Sequence, residues 1–170
     1  MSDQRLQSGS ARSSQRVRLP LLDRLLDADP SSPRDPVATP AIALETLRAA
    51  VRRDLEALLN ARRRRWPLPE RETELTVSPA GYGIPDATSG AYAQAHRRAE
   101  LAMDVERVIR RFEPRLLSVR VTLMEAGEQL DRTLRLKIEA VLRTDPIPEP
   151  ISFETVIEAV SHEVRVTERG

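Results

Sequence analysis

Apolar residues along this chain keep a helical period in its first two thirds and switch to alternation afterwards. Leu44, Leu47, Val51, Leu55 and Leu58 recur at three- and four-residue steps, which places them on one face of a helix. Thr39-Pro40 offers an N-cap and a proline first residue, and Asn60 suits its end. Tyr92, Ala95, Ala99, Ala102, Val105, Ile109 and Phe112 trace a second long helix, with Asp86, Thr88 or Ser89 available to cap it. Beyond Pro114 the period falls to two. Leu117, Val119, Val121 and Leu123, then Leu134, Leu136, Ile138, Ala140 and Leu142, alternate with polar residues, predicting two half-buried antiparallel strands joined around Gly127. Residues 151–158 and 164–166 predict further strands that turn near Ser161-His162. The expected fold is α+β: two long helices packed on a mainly antiparallel sheet of about four to five strands.

Shorter features fill in the organisation. Residues 1–18 are rich in Ser, Gln and Arg and lack the apolar content that offsets ordering entropy, so a disordered tail is expected. Residues 19–40 read as a short helix and a proline-rich linker, and 41–170 as the folded domain. Leu21, Leu22, Leu25 and Leu26 share one side of that short helix, which is too short to stand alone. It lies either on its own domain or in a partner's groove. Glu74–Ser78 predicts a short edge strand. The last strand, with Val164 and Val166, is the natural sheet edge; it accepts a strand from a neighbour or stays protected.

The helix-to-strand junction, Arg111-Phe112-Glu113-Pro114-Arg115-Leu116, is the most distinctive stretch. Pro114 has no amide hydrogen and biases Glu113 away from helical geometry, so the helix ends here and a stiff, extended segment should hold Glu113 and Arg115. These two charges sit beside Phe112, Leu116 and Leu117. Either they are satisfied within the chain or they await a partner.

Composition narrows the chemistry. Aromatics make up 3% of the 170 residues, so the core must be aliphatic. No cysteine is present, which excludes disulfides and thiolate metal sites. His96 and His162 are far apart and lack ligand-like neighbours, and His96 falls on a polar helix face. A net charge of +1 gives no general pull on nucleic acid, and the arginine run Arg62–Arg65 reads as a basic helix end favoured by the dipole. No signal peptide or membrane span is visible, and a cytoplasmic location is expected. The loop 80–86 has two glycines but no Walker spacing, so a turn positioned by Tyr82 is expected. Glycan hydrolysis needs two carboxyls across a cleft. Glu113 is the one acid in a distinctive setting, and an adjacent arginine suits a general acid poorly. The residues point to a binding or assembly module without cofactors.

Four motifs in order carry a family resemblance. Leu22-Asp23-Arg24-Leu25-Leu26-Asp27, then Val51-Arg52-Arg53-Asp54-Leu55-Glu56-Ala57-Leu58-Leu59-Asn60-Ala61-Arg62, then Tyr82-Gly83-Ile84-Pro85-Asp86, then Phe112-Glu113-Pro114-Arg115-Leu116 resemble the successive signatures of TssE. That family is the type VI secretion baseplate component, similar to the wedge protein that starts the sheath in contractile phage tails. The resemblance implies a non-catalytic subunit of a six-fold baseplate docked at the inner membrane, without membrane insertion of its own. Its implied partners are the wedge subunits TssF, TssG and TssK and the sheath subunits TssB and TssC. It also implies that Glu113, Pro114 and Arg115 hold the wedge core together, and that the C-terminal edge is offered to the first sheath ring. The assembly residues expected are therefore Glu113, Pro114, Arg115, Leu22, Leu25, Leu26, Val164 and Val166. Relatives tend to carry a glycine where this chain has Ser161-His162. A muramidase-like hydrolase and a soluble adaptor using Leu21–Leu26 are the competing classes.

Overall fold

The computed structural model describes residues 21–25, 39–63, 71–85, 94–124, 133–145, 147–158 and 163–169. The expected tail 1–18, the prolines of the linker before Thr39, Leu26 and the turn at Ser161-His162 lie outside them. Among the described residues, four α-helices precede a four-stranded antiparallel sheet. The helices are α1 (Leu21–Leu25), α2 (Pro40–Asn60), α3 (Thr73–Val77) and α4 (Ala95–Phe112). The strands β1 (Leu116–Leu123), β2 (Thr133–Leu142), β3 (Glu149–Glu158) and β4 (Val164–Arg169) form a meander in chain order, which leaves β1 and β4 at the edges. No described helix is long and apolar enough to cross a membrane.

The two long helices cover one face of the sheet. Thr39 caps α2 through its hydroxyl, which accepts from Ile42 N, and Pro40 occupies the first turn. Leu47, Val51, Leu55, Leu58 and Leu59 of α2 and Leu101, Val105, Val108 and Ile109 of α4 meet the inward residues of the strands. Those include Leu134, Leu136, Ile138 and Leu142 of β2, and Ile151, Phe153 and Ile157 of β3. Among the described residues, the buried core cluster is aliphatic apart from Phe153.

Several details differ from the sequence expectation, each for a local reason. Residues 73–77 form α3 and not an edge strand. Leu75 and Val77 remain exposed there, so no sheet face rewards alternation, while Thr76 Oγ1 donates to Thr73 O and Ser78 Oγ to Leu75 O inside the turn. A short 3-10 turn, Pro79–Gly81, follows directly. The N-cap of α4 is Gln94, without a side-chain hydrogen bond; Tyr92, Asp86, Thr88 and Ser89 lie outside the described residues. Ala95 and Ala99 are exposed, and the buried face of α4 begins at Leu101. Leu117 faces solvent because the β1–β2 register shifts between Leu116 and Ser118 and lets both Leu116 and Val119 turn inward, whereas Leu123 keeps the parity of Val119 and Val121 and is exposed as the last residue of β1. Pro150, expected in the connection, is the second residue of β3. It is tolerated because β4 pairs only from Ser152 onward, leaving that side of Pro150 without a ladder partner.

Candidate assembly site

Glu113 is the C-cap of α4, and its amide donates back to Ile109 O at 2.9 Å. The chain then turns instead of running extended: Leu116 N donates to Glu113 O at 3.2 Å, with Pro114 at the second position where its fixed φ is favourable. This turn folds Arg115 back onto Glu113. One carboxylate oxygen, Oε1, accepts from Arg115 N at 3.2 Å and from Nε at 2.6 Å, and Oε2 accepts from Nη2. The pair is bidentate and lies within the subunit. Glu113 is only 4% exposed, one of two buried polar residues among the described residues. A carboxylate at a helix C-terminus faces the negative end of the dipole, so Arg115 supplies the countercharge this position needs.

A third residue completes the pair. Arg115 Nη2 also donates to Asp54 Oδ2 at 2.6 Å, from the middle of α2. Burial pulls the Arg115 pKa down, but the hydrogen bonds to Glu113 and Asp54 outweigh it and hold the guanidinium above its ordinary range. Asp54 Oδ1 in turn accepts from Arg53 Nε at 3.0 Å, and Arg53 Nη1 donates to Asp23 of α1 at 2.8 Å. Opposite charges thus alternate from the head of β1 across α2 to α1. Tyr82 packs beside this row, edge-on to Phe112 with ring centres 5.3 Å apart. Burial, then the charges of Asp54 and Glu113, push the Tyr82 hydroxyl pKa up. Gly83, at φ 93°, places Ile84 so that its N donates to Ala61 O and its O accepts from Arg63 N. Arg62 Nη1 donates to Leu59 O, as a cation near a helix C-terminus should. His96 is exposed.

The other expected residues lie apart from this cluster. On α1, Leu21, Leu22 and Leu25 are 68%, 55% and 72% exposed while Asp23 ties the helix to α2. Val164 and Val166 are buried side chains in the core, on the face toward α2. Their backbone groups matter more. Asn60 Nδ2 donates to Val164 O at 2.8 Å and Asn60 Oδ1 accepts from Val164 N at 2.9 Å, as a neighbouring strand would. Two residues on, Val166 N donates to Glu56 Oε2 at 3.1 Å. The opposite edge is treated alike: Arg110 donates to Val119 O from Nη2 at 2.7 Å, and Val121 N donates to Glu106 Oε2 at 3.0 Å. Four helical residues rise about 6 Å and two strand residues about 6.7 Å. A glutamate and the residue four later can therefore serve alternate strand positions.

Asp54, Glu56, Glu106 and Arg110 were not singled out by sequence reasoning. The available signal was the i,i+4 pairing of a glutamate with Asn60 or Arg110 beside each apolar face. Among the described residues no group of three or more His, Cys, Asp or Glu side chains could hold a metal ion. A family model described as baseplate wedge protein gp25 matches residues 45–147, from α2 through β2 and including Glu113–Arg115. No curated protein matches the chain.

Proposed function

Because the chain belongs to the baseplate wedge protein gp25 family, we propose that it is the structural subunit of a type VI secretion baseplate that joins wedge subunits and starts the contractile sheath. The family match over more than half of the chain carries this reading. The four ordered motifs favour the secretion branch over a phage tail. In this role Glu113, Pro114 and Arg115 set the angle between α4 and the sheet, and α1 presents Leu22 and Leu25 to TssF, TssG or TssK. The edge strand β4 serves the sheath subunits TssB and TssC. Both carboxylate oxygens of Glu113 are engaged by Arg115, an arrangement that suits a structural clip and opposes a general acid.

Co-purification of the tagged full chain with wedge and sheath subunits tests the proposal. Wedge subunits should be retained by the wild type and lost on combining Leu22→Asp with Leu25→Asp. Retention of neither set by the wild type would overturn the assembly role, and peptidoglycan clearing that disappears in Glu113→Gln would replace it with hydrolysis.

A further inference from the structure

The two sheet edges are closed by the same device but with different groups. At β1 the closing side chains are paired with each other as well as with the strand: Arg110 Nη2 lies 2.8 Å from Glu106 Oε1 while the two hold Val119 and Val121. At β4 the closure consists of one neutral carboxamide and one carboxylate. Asn60 is itself an exposed residue, positioned by a second donation from Nδ2 to Glu56 O at 2.9 Å. Asn60 occupies both hydrogen-bonding groups of Val164, as the backbone of an added strand would.

We infer that Glu56 and Asn60 form a latch on β4, and that the strand it admits is an extended partner segment with acidic side chains on the open face of the sheet. An incoming strand reaches Val164 and Val166 only where these two side chains have swung away. The acidic preference follows from what stands on that face. Arg165, Thr167 and Arg169 project there, and all three are exposed. Arg169 has Glu154 of β3 at 2.6 Å, whereas Arg165 stands opposite Val156, which offers no charge. In the antiparallel registers centred on Arg165 or Thr167, pairing β4 with a second copy of itself sets arginine against arginine, and like charges across a ladder are unfavourable. An acidic strand faces the reverse situation. The latch thus keeps the edge closed to chance pairing, and the arginines select what replaces it.

The test uses the full chain and a blocked peptide alternating valine and glutamate, with a valine-lysine peptide as the contrast. Combining Glu56→Ala with Asn60→Ala should tighten binding of the acidic peptide by about tenfold or more, the equivalent of one to three net hydrogen bonds no longer displaced. Binding should slow amide exchange at Val164 and Val166 and leave Val121 unchanged. Glu56→Gln keeps an acceptor and should bind as the wild type does. Because Asn60 is exposed, Asn60→Asp offers a gentler variant, which removes the donor to Val164 O and should give part of the gain. Equal binding by wild type and double variant overturns the latch, as does protection at Val121 in place of Val164. Equal binding of the two peptides overturns the acidic preference. The partner's identity rests on the sheath role proposed above, and a separate measurement isolates it: with purified sheath subunits, the double variant should shorten the assembly lag. Tighter peptide binding with an unchanged lag leaves the latch standing and removes the sheath as its partner.

Discussion

Arg115 at the head of β1 donates to Asp54 in the middle of α2 at 2.6 Å while the same guanidinium holds Glu113. The two carboxylates differ sharply in setting, since the side chain of Glu113 is 5% exposed and that of Asp54 39%. Removing Arg115 therefore strands a buried charge in one direction and a solvated one in the other. Arg115→Ala should lower stability by about 3 to 5 kcal/mol, and Arg115→Lys by less, because it keeps the charge but loses the fork. Asp54→Asn should cost about 1 kcal/mol or less. Urea melts decide it: equal losses for Arg115→Ala and Asp54→Asn would mean that Glu113 does not depend on Arg115. The sign with pH is also fixed. A cation whose pKa is raised on folding contributes fully below its unfolded value and loses that contribution only above it, so the Arg115 contribution should be flat from neutral pH into the mildly alkaline range.

Gly83 should resist substitution. Its φ is +93°, and a Cβ there would lie 2.4 Å from Ala61 O, the acceptor of the Ile84 amide. Gly83→Ala adds left-handed backbone strain to a clash with main chain, a loss of roughly 2 kcal/mol or more. Thermal melts should show it, together with weakened packing of Tyr82. A melting temperature equal to wild type would show that the loop moves aside freely.

Thr155 offers the opposite case. It is fully buried in β3 opposite Leu136 and Val166, and its Oγ1 has no hydrogen-bond partner among the described residues. Val is close to isosteric and removes the unsatisfied hydroxyl, so Thr155→Val should stabilise the domain by about 1 kcal/mol. A loss of stability in that variant would reveal a bond to the hydroxyl.

Tyr82 makes the alkaline prediction. Its hydroxyl pKa is raised on folding, chiefly by burial and then by Asp54 and Glu113. For a group neutral when protonated, a raised folded pKa leaves stability unaffected below the unfolded value of about 10 and subtracts from it as pH rises through that value. Ultraviolet titration of a Tyr92→Phe variant reads Tyr82 alone and should place it above an ordinary tyrosine. Asp54→Asn should bring it part of the way back; a titration unmoved by Asp54→Asn would leave burial and Glu113 as the causes.

How far the sequence could be read follows from the range of each interaction. The faces of α2 and the alternation of β2 were visible because a helix or strand that buries one side shows its period locally. Leu117 defeated that logic, since one register irregularity moved it to the solvent side. Residues 73–77 carry β-branched side chains, yet no strand lies beside them, and propensity yielded to context. Glu113-Pro114-Arg115 announced itself as a junction. What it could not announce was Asp54, which comes from 61 positions earlier in the chain. The edge closures were hidden for the same reason: Glu56, Asn60, Glu106 and Arg110 look like ordinary polar helix positions until the strands they meet are known.

Those closures also bear on the order of events during synthesis. The contacts from Asn60 to Val164 and from Glu56 to Val166 span 104 and 110 residues, among the most distant in the fold. The β1–β2–β3 meander and the packing of α4 on β1 involve near neighbours and are cheap in loop closure, whereas α2 meets its strand only when residues 164–169 have emerged from the ribosome. Until then β3 is the temporary border of the sheet, with a row of backbone groups open to any nascent chain nearby. Arrival of the six-residue strand β4 therefore both adds Val164 and Val166 to the core and covers the exposed border of β3.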